Sequence, residues 1–382
     1  MSNKKGISRR SLIRQSCTAI PLGLVACSPP LTRLISQASL RLTITGQALM
    51  QHPLCLDPYP GLNEVISQIQ SSDTAFTDLE TAILTTESGP PTRDTEFFHA
   101  GTPEVLHCLD EMGFDLLALS NNHAWDLGTA GVLATRNAVA ASGFGFAGTG
   151  ADIAQASTAG FSPRGQRVAL VAMASGKIRE GAAATSERAG VNELRMHNES
   201  VPDESDVKRN LAAIAAARDK ADCVLVYLHN HQWGDDMSKT KPWARKFARA
   251  CIDAGADVFA SHGAPLLHGL EVHRGKPIFH GLGSLVFHSR TEPGHYPPEV
   301  WESAIVQLNF AHAEIQEIEI IPIVLNELGD DRLRQLETRG RPRIARGPDA
   351  ARILNRFTTL SAQLGTDLTI VGERAYLRPI QT

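Results

Sequence analysis

Apolar residues occur along the first two-thirds of the chain in short runs that are separated by amphipathic segments. The short runs predict strands at 41–46, 75–79, 115–119, 168–173, 223–228 and 257–260. The amphipathic segments predict helices at 62–70, 103–112, 128–142 and 242–254. Asp203 and its polar neighbours offer N-caps for a further alanine-rich helix that ends near Lys220. The continuous apolar run from Cys223 to Leu228 is typical of a strand covered on both faces.

The pattern changes after Ala260, where strand-like pieces follow one another with tight turns between them. They lie at 266–273, 277–280, 284–288, 302–310 and 314–324, and we interpret them as a β-meander. The segment 177–201 has no strong period and is interpreted as a long surface excursion. Alternating strands and helices followed by a meander indicate an α/β fold, in which two mixed sheets pack face to face with helices outside.

A chain of 382 residues can form one large domain or two small ones. No internal repeat and no clear linker divides the sequence into two cores. We therefore predict one domain over 40–325 and a C-terminal extension over 326–382. The extension contains an Arg- and Pro-rich loop at 339–346 and a predicted helix at 349–364.

The first 27 residues have the pattern of an export signal. Arg9 and Arg10 are the paired arginines of a twin-arginine motif, and a short apolar stretch from Ala19 to Ala26 follows them. The four residues 24–27 also resemble a lipoprotein cleavage box, which would place a lipid on Cys27. A disordered basic tail is the alternative interpretation. We predict an exported protein, periplasmic or on the outer cell surface, with Cys27 as a candidate membrane tether.

The charge of the chain changes once this leader is set aside. Of the 37 Lys and Arg residues, five lie before Cys27, which leaves 32 against 41 Asp and Glu residues. An acidic surface of this kind argues against nucleic acid as a partner, because phosphate neutralisation needs clustered basic residues.

Four cysteines follow the leader, and no two of them have the close spacing of a zinc knuckle or a redox motif. They are Cys55, Cys108, Cys223 and Cys251. Cys108 and Cys251 fall in predicted helices, and Cys223 opens a predicted strand. We predict that all four are free thiols, buried as small apolar side chains.

Polar side chains with metal-binding chemistry follow four of the predicted strands at the point where each strand ends. They are Asp78 and Glu80, the block from Asn121 to Asp126, His229 and His231, and His262. Each group alone has a structural explanation as a cap, a turn or an exposed pair. Their repetition predicts a single pocket, because loops at the carboxyl ends of strands converge on one crevice.

The mixture of side chains in this predicted pocket indicates its chemistry. Carboxylate oxygen, amide oxygen and imidazole nitrogen together suit Mn²⁺, Fe²⁺ or Zn²⁺ better than Ca²⁺, which prefers oxygen alone. Two such ions about 4 Å apart can activate water and polarise a phosphoryl or carbonyl oxygen. A histidine beside them that is not a ligand can protonate a leaving group.

Several segments resemble, in order, the signature blocks of the CapA-type capsule-synthesis family, which is associated with poly-γ-glutamate biosynthesis. They lie at 76–81, 120–128, 228–229 and 257–287. The Asn-Asn-His block that begins at Asn121 and the Gly-Lys-Pro-Ile-Phe turn that begins at Gly275 are the most specific parts. The family is similar to calcineurin-like metallophosphoesterases, so the resemblance implies a four-layer α/β/β/α sandwich over about 40–325.

The resemblance also implies site residues and partners. The implied metal ligands, for one or two divalent ions, are Glu80, Asn122, His229 and His262. The implied catalytic residues are His123 as general acid, with Asp126 and His231 in support. The implied partners are poly-γ-glutamate or another anionic polymer and capsule synthase subunits. We hypothesise a metal-dependent hydrolase that acts on a phosphoester or an amide bond.

This chain departs from the family pattern at three places. Gln47 stands where the family has a ligand Asp, and Pro265 stands where it has a second ligand His. The family's Leu-Gly-Asn ends here in Ser284. The remaining ligands favour one metal over two. Residues that can substitute or support them are Gln47, Asp78, Asn121, His52, His268 and His280.

These departures leave two other classes of function open. A catalytically degenerate envelope scaffold, which binds polymer or synthase subunits without chemistry, is favoured by Gln47 and Pro265. A solute-binding protein is permitted by the α/β pattern and the export signal, although the histidine-rich strand ends are not typical of one.

Overall fold

The computed structural model describes residues 39–93, 97–312 and 314–378, which all belong to one compact unit. Its strands are, in chain order, Leu40–Ile44 (β1), Gln47–Leu49 (β2), Thr74–Asp78 (β3), Ala82–Ile83 (β4), Ala100–Gly101 (β5), Leu116–Ala118 (β6), Gly145–Ala147 (β7), Thr149–Gly150 (β8), Gly160–Phe161 (β9), Val168–Ser175 (β10), Gly190–Val191 (β11), Met196–Asn198 (β12), Val201–Pro202 (β13), Cys223–Asn230 (β14), Val258–Gly263 (β15), Leu270–His273 (β16), Lys276–Phe279 (β17), Ser284–Phe287 (β18), Glu302–Ala311 (β19), Glu314–Leu325 (β20), Pro342–Ile344 (β21), Thr369–Val371 (β22) and Arg374–Leu377 (β23).

The helices of the described residues cover most of the segments where the sequence predicts them. They are Leu62–Gln70 (α1), Glu104–Glu111 (α2), Gly128–Ala141 (α3), Ile153–Ala156 (α4), Glu204–Arg218 (α5), Pro242–Asp253 (α6), Gln335–Thr338 (α7) and Gly347–Ala362 (α8). Asp203 caps α5 as predicted, because its side chain accepts hydrogen bonds from the backbone N–H groups of Ser205 and Asp206.

The larger sheet has nine strands, and its main path runs in the order β22-β23-β20-β19-β1-β3-β6-β7. The strands β1, β3, β6 and β7 are parallel, whereas β19, β20, β22 and β23 are paired antiparallel. The strand β21 pairs with β20 off this path. The parallel half of this mixed sheet therefore presents the carboxyl ends of β1, β3 and β6 at one edge.

The second sheet has six strands in the order β16-β17-β15-β14-β10-β9. Its central strands β10, β14, β15 and β17 are parallel, and β9 and β16 are antiparallel to their neighbours. The protein is thus a mixed α/β structure built on two mixed sheets.

Alternate residues of the central strands bury their side chains in a core that both sheets share. Leu42 and Phe76 contribute to it from the nine-stranded sheet, and Leu170 and Tyr227 contribute from the six-stranded sheet. The Phe76 and Tyr227 rings lie 5.4 Å apart. Burial of each large apolar side chain contributes about 1.5–3 kcal/mol to folding. The side chains of the residues at the ends of these strands therefore point in a defined direction, either toward the opposite sheet or away from it.

The other residues of β14 confirm the prediction that this strand is covered on both faces. Val226 belongs to a separate core cluster that also contains Ile214 of α5 and Phe247 of α6. A third cluster contains Val65 of α1 together with Ile321 of the nine-stranded sheet. Because β14 meets apolar partners on each side, its sequence is continuously apolar rather than alternating.

The predicted β-meander after Ala260 is wrong as a single unit. The strands β16 and β17 join the six-stranded sheet, β18 pairs with β2, and β19 and β20 return to the nine-stranded sheet. Periodicity identifies a strand from its own residues, but the choice of partner depends on contacts with residues distant in the chain.

Two segments that we predicted to lack regular structure contain strands. The segment 177–201 includes β11 and β12, and its residues Val191 and Leu194 are fully buried, so it is not a surface excursion. The loop predicted at 339–346 contains β21, whose Ile344 pairs with Ile323 of β20. Strands of two or three residues carry too few positions to show a period.

The prediction of four free cysteines is wrong for one pair. Cys55 and Cys108 form a disulfide that links the 3-10 turn Leu54–Leu56 to α2, with Cα atoms 5.5 Å apart and a sequence separation of 53. Cys223 and Cys251 are free and buried, as predicted. A pair so distant in sequence has no spacing signature, because only the packing of α2 brings the two thiols together.

The twin-arginine segment, the lipoprotein box and Cys27 lie outside the described residues. Among the helices of the described part of the chain, none combines the length and the apolar character needed to cross a bilayer.

Candidate metal centre and active site

The strands that meet in the shared core carry polar residues just beyond their apolar positions. In β14 the inward positions Leu225 and Tyr227 are followed by His229, and in β3 the inward Phe76 is followed by Asp78. Because side chains alternate along a strand, both polar residues point toward the opposite sheet. His262 of β15 lies beside His229 in register and continues the inward position of Ala260. The two sheets therefore deliver these groups to a common space.

The His229 ring connects residues of both sheets. Its Nδ1 lies 3.1 Å from Asp78 Oδ2, and its Nε2 lies 2.8 Å from Asn122 Oδ1 and 3.6 Å from Glu80 Oε1. A carboxylate accepts hydrogen bonds, so in the neutral ring Nδ1–H donates to Asp78 and Nε2 keeps a lone pair. That lone pair faces two oxygen atoms, an arrangement that a cation between them would satisfy. Asp78 thus supports His229 rather than replacing a missing ligand.

Glu80, His229 and His231 offer ligand atoms that all lie within 4.8 Å of one another. Within the described residues, neither Glu80 Oε2 nor either ring nitrogen of His231 has a hydrogen-bond partner. Burial raises the pKa of Glu80 well above its ordinary value, and the carboxylates of Asp78 and Asp126 raise it further. A divalent cation would offset this cost because an opposite charge favours the ionised carboxyl. The donor set therefore fits a divalent metal.

His231 was predicted as a supporting catalytic residue, and the structure groups it with the candidate ligands instead. Its ring lies 4.9 Å from that of His229 and 4.5 Å from that of Trp233. His229 and His231 are two positions apart at the end of β14, so their side chains point to the same face.

His123 lies beside this group and is oriented by Asp126. His123 Nδ1 donates to Asp126 Oδ2 over 2.9 Å, and His123 Nε2 lies 3.9 Å from Glu80 Oε1. Asp126 is held in turn by Arg93 at 2.7 Å and Arg179 at 3.1 Å. Burial raises the pKa of Asp126 to about 6, although Arg93 acts against the shift. The pair holds the His123 ring with Nε2 free for proton transfer.

Asn121 connects the two halves of the site without reaching the ligand group. Its Nδ2 donates to Asp78 Oδ1 over 3.0 Å, and its Oδ1 accepts from the backbone N–H of His123 over 3.1 Å. Its position therefore orients Asp78 and the loop that carries His123. That arrangement fits the supporting role we predicted for it.

His262 and Gln47 occupy the side of the site where the chain departs from the family pattern. His262 is buried, neither of its ring nitrogens has a partner among the described residues, and burial lowers its pKa to about 3. It lies outside the group formed by Glu80, His229 and His231. Gln47 Oε1 accepts a hydrogen bond from Gly263 N over 3.1 Å. Gln47 therefore ties down the loop after His262.

The three other histidines considered as substitutes have different environments. His280 Nε2 lies 2.9 Å from Glu271 Oε2, and His268 Nε2 lies 2.9 Å from the Met237 carbonyl oxygen. His52 lines a separate cavity of about 190 Å³. None of the three belongs to the described ligand group.

The site opens into a cavity of about 790 Å³, a size typical of small-molecule sites. Glu80, Asn122 and His123 line it, and so do the basic residues Lys177 and Arg179, which form its charged wall. Glu80 is the sole acidic residue among the described residues that line it. The charge of the wall therefore favours an anionic ligand.

Several residues that line this cavity are not among those predicted from the sequence. They are Arg93, His99, Lys177, Arg179 and Trp233. The His99 ring packs edge-on against His123 with centroids 4.2 Å apart, and Lys177 Nζ lies 5.0 Å from the centroid of the Trp233 ring. These residues lie in loops rather than at predicted strand ends, so the strand-end rule could not find them.

Replacing Asp78 with asparagine is expected to weaken Mn²⁺ binding by about 10–100-fold, because the amide has one acceptor oxygen where His229 Nδ1–H and Asn121 Nδ2 each need one. Isothermal titration of the metal-free protein measures the change. Asn is nearly isosteric with Asp, so the fold is expected to persist. Asp219→Asn, at the exposed end of α5, is the matched control. Equal Mn²⁺ affinity in the Asp78 variant and the control would contradict the supporting role of Asp78.

Comparison with known proteins places these residues in a family context. The chain matches the family model described as bacterial capsule synthesis protein PGA_cap over residues 33–289. An uncharacterized protein of Sinorhizobium fredii, y4sH, is 27% identical over an alignment of 430 positions that covers 87% of this chain and 92% of that protein. A probable polyglutamine synthesis accessory protein of Mycobacterium tuberculosis is 28% identical over 276 positions, 70% of each chain.

The capsule biosynthesis protein CapA of Bacillus anthracis is 28% identical over 231 positions, which cover 59% of this chain and 51% of that protein. Among solved structures, NAD nucleotidase (NadN) of Haemophilus influenzae superposes with a TM-score of 0.39 at 11% identity, covering 83% of this chain and 56% of that one. A TM-score this low supports no argument. Because the family model matches well over half of the sequence, this chain belongs to the bacterial capsule synthesis protein PGA_cap family.

Proposed function

We propose that this chain is a metal-dependent hydrolase that cleaves a phosphoester or amide bond during synthesis of a capsule polymer. The observation that carries the proposal is the convergence of Glu80, His229 and His231 beside the oriented His123. Glu80 Oε2 and both ring nitrogens of His231 have no hydrogen-bond partner among the described residues. The proposal includes a four-layer α/β/β/α arrangement. Core clusters that join the sheets to each other, and each sheet to helices, support it.

Glu80, Asn122, His229 and His231 would hold one divalent ion, Mn²⁺, Fe²⁺ or Zn²⁺, with His262 as a candidate for a second. Such an ion supplies Lewis acidity and lowers the pKa of water. The protein's own residues orient the substrate and move the proton. His123, held through Nδ1–H by Asp126, would act in its doubly protonated form, delivering the proton on Nε2 to the leaving group and returning to the neutral ring.

The names of relatives support the biological part of the proposal. Proteins of Bacillus anthracis and Bacillus subtilis that resemble this chain are named for capsule and PGA biosynthesis. We extend that association to this chain, with poly-γ-glutamate or another anionic polymer and capsule synthase subunits as partners. The positively charged wall of the cavity at Lys177 and Arg179 is compatible with an anionic polymer.

We also propose that the protein acts outside the cytoplasm, in the periplasm or on the outer surface. The twin-arginine pattern and the lipoprotein box at Cys27 support this location, and the Cys55–Cys108 disulfide is of a kind that persists in oxidising compartments.

A scaffold without catalytic activity is the second candidate function. The observation that favours it is the hydrogen bond from Gly263 N to Gln47 Oε1, which engages the side chain at a position where the family has a carboxylate ligand. A neutral amide that already binds backbone contributes little to a metal site.

Purified protein is expected to contain a transition metal in about one equivalent, as measured by elemental analysis. With Mn²⁺ added, it is expected to hydrolyse a substrate in a screen of phosphodiesters, phosphomonoesters and γ-glutamyl amides. His229→Ala is expected to lose both the metal and the activity, because it removes a ring nitrogen of the ligand group. A folded wild-type protein that is metal-free and inactive in the whole screen favours the scaffold.

A further inference from the structure

His99 is a cavity residue whose backbone is fixed on both sides. Its N–H donates to Asp126 Oδ2 over 2.8 Å, and its carbonyl oxygen accepts from Ala82 N over 3.1 Å. Its ring packs edge-on against His123, with centroids 4.2 Å apart. The carboxylate that orients His123 therefore also positions His99, and the two imidazoles are presented together.

Hydrogen bonds determine which nitrogen of His99 carries the proton. Gln51 Nε2 donates to the His288 carbonyl oxygen over 2.8 Å, and a carbonyl oxygen can only accept, so the orientation of the Gln51 amide is settled. The same Nε2 lies 2.6 Å from His99 Nδ1. His99 Nδ1 must therefore accept, and the neutral ring carries its proton on Nε2.

Two backbone N–H groups hold the other end of this network. The N–H groups of Gln51 and His52 both donate to His288 Nδ1, at 3.1 and 3.2 Å. Gln51, which contacts His99, is thus bound to His288, the residue that directly follows β18. The donor on His99 Nε2 is preorganised rather than free to change its tautomer.

The cavity around His99 contains the groups that an anionic ligand requires. His99 lines the same space as His123, Lys177 and Arg179, and His99 Nε2 has no hydrogen-bond partner among the described residues. Arg93 and Arg179 are occupied by Asp126 and by carbonyl oxygens. Both guanidinium groups are therefore largely engaged within the protein, whereas His99 Nε2–H is a donor next to His123 that a ligand oxygen can reach.

We propose that His99 is a substrate-binding residue whose Nε2–H donates a hydrogen bond to an anionic oxygen of the substrate, beside the leaving group that His123 faces. The proposal deepens the proposed hydrolase function and rests on it for the reaction itself. The binding of an oxyanion by His99 can nevertheless be measured without turnover. A hydrogen bond to a charged oxygen is stronger than one between neutral groups, so its loss is expected to be measurable.

Two substitutions test the two ring nitrogens of His99 separately. In His99→Asn the side-chain oxygen overlays Nδ1 and keeps the bond from Gln51, but the cavity-facing donor is lost. In His99→Gln the amide nitrogen overlays Nε2 and keeps that donor, but the bond from Gln51 is lost. The probe is inorganic phosphate, titrated calorimetrically into the Mn²⁺-loaded protein. Thermal denaturation checks the fold of each variant.

Wild-type protein is expected to bind phosphate, His99→Asn to bind it about 10–100-fold more weakly, and His99→Gln to remain within about threefold of wild type. The proposal is overturned if wild type does not bind phosphate, if His99→Asn binds it as wild type does, or if both variants weaken equally. If His99→Asn alone loses phosphate while wild type hydrolyses nothing, the hydrolase function fails and the anion site stands. If wild type hydrolyses substrate and His99→Asn leaves phosphate affinity unchanged, the function stands and this inference fails.

Discussion

Replacing His123 with alanine is expected to lower the turnover of a substrate with a poor leaving group by about 10²–10⁴-fold, while the protein keeps its metal. The reason is that His123 Nε2 faces the cavity while its Nδ1 is held by Asp126, so removal of the ring removes the proton donor. Turnover of a p-nitrophenyl ester, whose leaving group needs no proton, is expected to fall much less. Steady-state kinetics on the two substrates, with elemental analysis of each preparation, measure both effects.

His197→Ala is the matched control, because His197 is largely exposed and its recorded ion pair is with Asp203, at the N-cap of α5. It is expected to leave both substrates and the metal content unchanged. Equal losses on the two leaving groups in the His123 variant would contradict a role in proton transfer. Loss of metal from the His123 variant would instead indicate that His123 is a metal ligand.

Removal of the disulfide is expected to lower the free energy of unfolding by about 4 kcal/mol, because the unfolded chain regains the entropy of a long closed loop. Cys55 and Cys108 are separated by 53 positions in sequence, and their bond joins the turn after β2 to α2. The double variant Cys55→Ala/Cys108→Ala avoids leaving one reactive thiol. Urea denaturation followed by circular dichroism measures the change.

Reductant serves as the control for this experiment. Wild-type protein is expected to lose stability when dithiothreitol is added, whereas the double variant is expected to be insensitive to it. Cys223 and Cys251, which are free and buried in the described part of the chain, are not expected to respond. A wild-type denaturation midpoint that does not move under reductant would show that the bond does not form in solution.

The central elements and the core of the candidate site could be predicted from local sequence. Apolar runs located β3, β10 and β14, and alternation along β14 put His229 on the same face as Tyr227. That rule sufficed to predict that Asn122 and Glu80 lie close to His229, and their oxygen atoms are 2.8 and 3.6 Å from its Nε2. It worked because side-chain direction in a strand is a local property with a period of two.

The residues around the site could not be predicted in this way. Arg93 and Arg179 come from loops without a period, yet both contact Asp126. His99 has no local feature that distinguishes it from a surface histidine, and its role depends on Gln51 and Asp126, which lie 48 and 27 positions away. Loop conformations are determined by the surfaces on which they pack, and those surfaces exist only after the sheets have formed.

The amino-acid sequence alone therefore determined the strand and helix pattern of the central sheets, the direction of the polar residues at their ends, and the chemistry of the candidate metal ligands. Only the tertiary structure decided which strands share a sheet, that Cys55 and Cys108 are bonded, and that His231 joins the candidate ligands while Asp78 stands behind them. The physical reason is one of range. Backbone geometry acts between neighbouring residues, whereas pairing, disulfide formation and ligand convergence depend on contacts between residues far apart in the chain.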